Sequence, residues 1–424
     1  MTGLPLAAAA IFLLTYLVLG LGALPPLRLD RTGATLVGAT LMVACGVVSP
    51  KQAAGAIDIG TLALLFGMMI VAANLRLAGF FGWTVARVLG VTRSPRLLLV
   101  LTTWLSGVLS ALVVNDTVCV LLTPLVLELT THAGLAPVPF LLALAMGANA
   151  GSVATVVGNP QNMMIASVGG IPYARFAAAL SPVALGALAI TSAVLVLGYG
   201  RSLAATTGTP DAPAGPAPRV NRPLLAKTLA VGLGLVVAML LGVQPPLAAM
   251  AAASALLVTR RVAPGEVHAL IDWPLLAMFA GLFVVVEGVE RSGIAAWLIA
   301  GLTGLLGGGG HAGGWGPAAG WGPAAGGYGF VALSAALSNL VSNVPAVMLL
   351  GKAAAAAPDP ERARLLLAMS STLAGNLTLV GSVANLIVVS QAEPRARVGF
   401  WEYTKLGAPI TLLTLAWGAW WLGR

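Results

Sequence analysis

Long apolar runs alternate with short polar interruptions from one end of the chain to the other. A bilayer crossing takes about 20 apolar residues. About ten runs approach or exceed that length: 5–23, 34–49, 59–77, 137–167 and 177–199, then 224–242, 244–260, 273–290, 363–390 and 406–422. Two further runs, 97–131 and 328–351, are interrupted in their middle by polar residues, which marks them as candidate re-entrant hairpins. The pattern predicts an all-α polytopic membrane protein. The first run has no Lys or Arg ahead of it, unlike a cleaved signal peptide, and reads as the first crossing.

The runs repeat. IDIGTLALLFGMMIVAANLRLAG from Ile57 aligns without a gap on IDWPLLAMFAGLFVVVEGVERSG from Ile271, an offset of 214, matching Asp58 with Asp272, Gly67 with Gly281 and Gly79 with Gly293. SALVVN from Ser110 matches SNLVSN from Ser338 at an offset of 228, and TVVGNPQN from Thr155 matches TLVGSVAN from Thr378 at 223. The expected organisation is a first half at 1–199, a Pro- and Ala-rich linker at 200–223 and a second half at 224–424. Five crossings per half is an odd number, so the second half is expected to lie inverted in the membrane. On this topology fifteen Lys and Arg fall on one side and seven on the other, which puts the fifteen in the cytoplasm and both termini outside it. Exchanging the hairpin and crossing roles gives eighteen against four, so charge does not decide which segment is the hairpin.

Composition agrees with a lipid-dissolved chain: 58% of residues are hydrophobic and 8% charged, against about 25% charged in soluble domains, and the mean hydropathy is +0.96. The net charge of +9 is scattered over short loops, with no basic stripe for nucleic acid. Cys45 and Cys119 lie in apolar runs, and His132, His268 and His311 are far apart, so neither a disulfide framework nor a metal cluster is expected. WGPAAG occurs in tandem from Trp315 and Trp321 and reads as a low-complexity loop.

Helix breaks at membrane depth persist where they line a cavity or bind something. Four are visible: Val114–Thr117, Gly158–Asn162, Val341–Pro345 and Gly381–Asn385. Broken helices offer N-terminal dipole ends to an anion and C-terminal carbonyls to a cation. They and their repeat partners give a candidate substrate- or ion-binding set: Ser110, Asn115, Asp116, Thr117, Thr155, Gly158, Asn159, Pro160, Asn162, Ser338, Ser342, Asn343, Thr378, Gly381, Ser382 and Asn385. Asn115, Asn162, Asn343 and Asn385 are the candidate Na⁺ ligands. Asp116 is the candidate coupling group, because a carboxylate at bilayer depth costs about 2.5–3.5 kcal/mol on insertion scales and is seldom there without a partner or a task; capping of the following helix is the structural alternative. Asp58 and Asp272 read as helix caps, Glu287 as a candidate pathway residue, Glu290 with Arg291 as an interfacial pair and Glu128 as interfacial.

SALVVNDTVCVLLTPLVLEL, GANAGSVATVVGNPQNMMIAS, ALSNLVSNVPAVMLL and AGNLTLVGSVANLIVVS resemble signature segments of the ion transporter superfamily, which includes arsenite efflux permeases, divalent-anion/sodium symporters, citrate permeases and some sodium/proton antiporters. NDT followed by TP, together with GNPQN, is most similar to the anion permease branch near the arsenite permeases. The resemblance implies scaffold and mobile transport domains, an elevator movement, a homodimer, and 97–131 and 328–351 as the hairpins. Dicarboxylate symporters of the superfamily carry Ser-Asn-Thr at each tip. Here the tips hold Val114-Asn115-Asp116 and Ser342-Asn343-Val344, and a fixed negative charge disfavours a dicarboxylate. The expected function is secondary transport of a small anion or oxyanion-type solute such as arsenite, coupled to H⁺ or Na⁺ across the cytoplasmic (inner) membrane, without a cofactor. A Na⁺/H⁺ antiporter and a citrate-like symporter are the alternatives. An intramembrane aspartyl hydrolase is disfavoured, because the repeat partner of Asp116 is Val344; a passive channel remains open on the same architecture.

Overall fold

A computed structural model describes residues 3–21, 23–24, 29–89, 92, 94–204, 220–258, 262–293 and 327–424. Most of the expected linker, His311 and the tandem WGPAAG lie outside the described residues. Among those described are nineteen α-helices and one two-residue β pair, Ala23–Leu24 against Leu29–Asp30. The helices are α1 (Gly3–Leu21), α2 (Arg31–Ala44), α3 (Pro50–Ala56), α4 (Ile59–Leu77), α5 (Phe80–Leu89), α6 (Pro95–Leu112), α7 (Asn115–His132), α8 (Pro137–Ser152), α9 (Pro160–Gly169) and α10 (Tyr173–Ala204). They continue with α11 (Arg222–Leu240), α12 (Pro245–Leu257), α13 (Pro264–His268), α14 (Trp273–Arg291), α15 (Tyr328–Val341), α16 (Asn343–Ala355), α17 (Pro360–Leu373), α18 (Val383–Ala392) and α19 (Phe400–Leu422).

Their starts are written locally. Asp30, Asp58, Asp272 and Asp359 each accept a hydrogen bond from the backbone N–H three residues on, satisfying a donor the helix itself leaves free. Proline stands in the first turn of α3, α6, α8, α9 and α12, where its missing N–H costs nothing. Among the described residues, six helices are long and apolar enough to cross a membrane: Leu4–Leu21, Ile59–Leu77, Pro95–Leu112, Tyr173–Leu203, Arg222–Leu240 and Trp273–Arg291. Only five of the ten expected runs are among them: α2 and α12 have only 14 and 13 residues, two runs are each split into shorter helices, and α19, with 23 residues, is not one of the six; the sixth, α6, is an arm of a run expected as a hairpin.

Several described elements recur at the repeat offset. At the offset of 214, α2 starts where α12 starts, α3 where α13 starts, and α4 coincides with α14 at both ends. The pairs cross over: α2 packs on α14, and α4 packs on α12. The matched glycines bring backbone against backbone at these crossings. A Cβ on Gly67 would lie 2.8 Å from the Ala249 carbonyl, and one on Gly281 would lie 2.9 Å from the Thr35 carbonyl. Thr35 and Ala249 are themselves 214 apart, so one helix contact is built twice.

Two helical hairpins, α6–α7 and α15–α16, and two interrupted helices, α8–α9 and α17–α18, form the second part of the molecule. α6 runs along α8, and α15 along α17; the return helices cross between halves, α7 onto α18 and α16 onto α9. Helix α8 is buried from Pro139 to Ser152. α10 and α19 pack together outside it. At 82% and 72% exposure, Leu197 and Leu340 belong to a surface that only lipid tails would cover without penalty. At the end of α19, Arg424 lies over Trp420, 3.5 Å from the ring centroid, in the aromatic-and-basic pattern of a membrane interface.

Three details differ from the sequence expectation. The hairpin breaks are shorter: only Val113–Val114 and Ser342 leave the helices, and Asn115-Asp116-Thr117 and Asn343–Pro345 already form first turns. The breaks in the crossings fall earlier, at Val153–Asn159 and Ala374–Ser382, where 3₁₀ turns Val156–Gly158, Ala374–Asn376 and Leu379–Gly381 intervene; Asn162 and Asn385 sit inside the helices that follow. The short helices α3, α5 and α13 carry too few apolar residues to register as runs.

Candidate functional site

Four helix N-termini meet at one cavity of about 50 Å³. Asn115 and Asp116 open α7, Ser342 and Asn343 open α16, Pro160 and Gln161 open α9, and Ser382 and Val383 open α18; all eight line it, with Val344 and Pro345. The remaining wall is Leu19 of α1, Arg31 of α2 and Leu275, Met278 and Phe279 of α14. The cavity therefore lies between the hairpin part and the paired-helix part of the molecule.

Side-chain amides hold the breaks in shape. Asn162 Nδ2 donates to the carbonyls of Ser152 (3.1 Å) and Thr155 (3.0 Å), and Asn385 Nδ2 to those of Gly375 (2.7 Å) and Thr378 (3.2 Å). These are the same brace at the offset of 223. The two breaks also clasp each other: Asn159 Nδ2 donates to Thr372 Oγ1 (3.2 Å), and Ser382 Oγ donates to Asn149 Oδ1 (3.2 Å). Asn149 Nδ2 donates in turn to Asn376 (2.9 Å) and Asn385 (3.0 Å). Asn115 Nδ2 ties the first tip to this cluster by donating to Asn149 Oδ1 at 3.2 Å. The Asn343 amide, turned so that its nitrogen donates, reaches the Ser371 and Gly381 carbonyls at 3.1 and 3.2 Å. Buried backbone left unpaired would cost about 1–3 kcal/mol per group, so these side chains are what allow non-helical backbone here.

Of the sixteen candidates, six line the cavity: Asn115, Asp116, Pro160, Ser342, Asn343 and Ser382. The others support it or stand apart. Thr155 Oγ1 donates to Ala111 O at 2.6 Å, Thr378 Oγ1 to Asn339 Oδ1 at 3.1 Å, and Ser338 Oγ to Ser371 O at 3.4 Å. Gly158 and Gly381 are places where a Cβ would meet Ser152 O at 2.1 Å and Asn339 Oδ1 at 2.6 Å. Ser110 Oγ is buried without a hydrogen-bond partner, and Thr117 does not reach the cavity. Asn162 and Asn385, offered as Na⁺ ligands, turn their amide nitrogens to backbone carbonyls, while Asn162 Oδ1 has no donor and Asn385 Oδ1 accepts from Asn149.

Capping does not explain Asp116: the N-cap of α7 is Val114, and no side chain caps that helix. Beside Asp116, Asn115 Oδ1 is buried and accepts from no donor. Opposite stands Arg31, its Nε–H held by Leu19 O at 3.1 Å, and its charge and that of Asp116 act on one another. Sequence reasoning missed Arg31, Asn149, Gln161, Asn339, Thr372 and Asn376. A lone asparagine in an apolar run was a usable signal for Asn149, Asn339 and Asn376; Arg31, at the edge of a run, gave none.

A larger cavity, about 550 Å³, follows the small one along α9, α14 and α16, with Asp58, Glu287, Glu290, Lys352 and Arg364 in its walls. Glu290 does not pair with Arg291, because helix neighbours point in different directions. Arg291 reaches back one turn to Glu287, and Glu290 pairs across the boundary with Lys352 of α16.

Apolar helices enclosing converging helix ends are the architecture of an integral membrane protein, and the family and relatives make it a transporter and not an enzyme. The chain belongs to the citrate transporter (CitMHS) family, which residues 14–364 match. Among its relatives are the silicon efflux transporter LSI3 of Oryza sativa subsp. japonica, 32% identical over 93% of both chains, and a transporter named arsB in Dictyostelium discoideum, 26% identical over 92% of this chain and 86% of the other. The crystal structure of the Alcanivorax borkumensis YdaH transporter, described as having an unusual topology, shares the fold with a TM-score of 0.51 at 15% identity, covering 99% of this chain and 96% of the other.

Proposed function

We propose that the protein is a secondary permease for a small, undissociated hydroxy acid of the silicic acid or arsenite type, coupled to protons through Asp116. The observation that carries this is the set of groups free in the cavity. Asn115 Oδ1 lacks a donor, and Asp116 adds carboxylate oxygens, so the site asks for a solute that brings O–H donors. A carboxylate substrate brings mainly acceptors, and its natural place, at helix N-termini equivalent to about +0.5 charge each, is already taken by Asp116. The volume of about 50 Å³ suits a solute of few heavy atoms, since a single water needs roughly 10–15 Å³ on this measure. Silicon efflux by a relative that is 32% identical supports the same class.

On this reading the hairpins are re-entrant, the halves are inverted, and the hairpins with the interrupted helices move as a unit against the paired helices in a homodimer. The test is flux in proteoliposomes. An imposed proton gradient is expected to drive silicic acid or arsenite, and not citrate, against its own gradient. Asp116→Asn is expected to remove the pH dependence of that flux. Na⁺-driven proton movement with no solute present would favour the antiporter and sink this proposal.

A further inference from the structure

Arg31 is the only basic residue among those lining the Asp116 cavity, and the two side chains belong to different parts of the molecule. Asp116 opens α7, which packs on α5, α6, α8 and α18; Arg31 opens α2, which packs on α1 and α14. The offset of 214 places Pro245 where Arg31 stands, and Thr61, Leu64 and Leu65 where Leu275, Met278 and Phe279 stand. A hairpin unit moved from the α2–α14 wall to the equivalent α12–α4 wall would exchange a guanidinium for a proline ring. Thr61 Oγ1 on that second wall is buried without a hydrogen-bond partner.

The other charged groups do not substitute for Arg31. Asp272, on the Arg31 side, adds a like charge while its carboxylate caps α14. Helices α8 and α18 carry no charged side chain. Arg96 of α6 donates to Gly200 O, and Arg87 of α5 lies over Trp83. On α7 itself Cys119 lies one turn along, with Glu128 and His132 toward the far end.

We propose that Arg31 is a positioning residue for coupling, a fixed counter-cation that balances a charged Asp116 at one wall and has no counterpart at the other. Asp116 then crosses to the second wall only after taking up a proton or another cation. This rests on Asp116 as the coupling carboxylate, and its test contains no solute, so failure of the solute assignment and failure of the Arg31 assignment are read separately.

Glu290 on α14 and Lys352 on α16 are paired in this orientation, so cysteines at both positions report it. In a chain with Cys45→Ala and Cys119→Ala, the variant Glu290→Cys/Lys352→Cys is treated with a short bis-maleimide in proteoliposomes over a pH series. Deprotonation of Asp116 favours the Arg31 wall, so cross-linking is expected to rise with pH, the ratio of linked to unlinked protein changing about fivefold or more. Arg31→Gln is expected to abolish that slope and Arg31→Lys to keep it. Asp116→Asn is expected to give a flat profile with or without Arg31→Gln. A parental slope in Arg31→Gln, or an equal effect of Arg31→Gln in the Asp116→Asn background, overturns the proposal.

Discussion

Ser342 is the only non-glycine residue with a positive φ among those described, at 78°, whereas its repeat partner Val114 has φ −54°. Backbone in that region costs about 1–3 kcal/mol and persists where surrounding structure enforces it. Ser342→Val, which copies the first tip, is expected to lower stability by about that amount in thermal unfolding of the detergent-solubilised protein, and Ser342→Gly to leave it unchanged or raised. The asparagine braces separate in a similar way. Asn162→Ala and Asn385→Ala each strand two carbonyls, but Asn385 Oδ1 also accepts from Asn149, while Asn162 Oδ1 accepts from none. Asn385→Ala is therefore expected to be the more destabilising by about 0.5–1.5 kcal/mol, and equal losses would contradict the asymmetry. At this scale the sequence exposed residue types better than their tasks. Asn, Gly and Ser at a break are visible in one dimension, but whether an amide faces a cavity or a carbonyl depends on a partner many residues away.

Glycine positions carry the prediction at the element scale. Gly67→Ala and Gly281→Ala press a methyl group onto backbone carbonyls, which neighbouring rotamers cannot relieve; each is expected to cost about 1–3 kcal/mol. Gly234→Ala in α11, where a Cβ meets nothing within 4 Å, is expected to stabilise by about 0.4–1 kcal/mol. Melting temperatures of the three variants check both signs. The helices themselves were legible because proline, aspartate caps and apolar length act locally. Helix length was less so: α6 reaches 18 residues where its partner α15 has 14, because the apolar run alone does not reveal where a hairpin turns.

For the whole molecule, the repeat offsets had one consequence that alignment did not display: beside the contacts within each half, such as α6 along α8 and α15 along α17, a reciprocal set runs between the halves. Helix α2 closes on α14, α4 on α12, α7 on α18 and α16 on α9. Reciprocity of this kind assigns the covalent link between the halves a minor part, raising the local concentration of one for the other. Cutting the chain between 204 and 220 leaves each of these contacts available. Fragments 1–204 and 220–424, co-expressed, are expected to co-purify and to restore solute flux, whereas either alone is expected to be degraded. A chain in which these four helix pairs each join one half to the other behaves, in assembly terms, as a heterodimer that happens to be translated as one polypeptide.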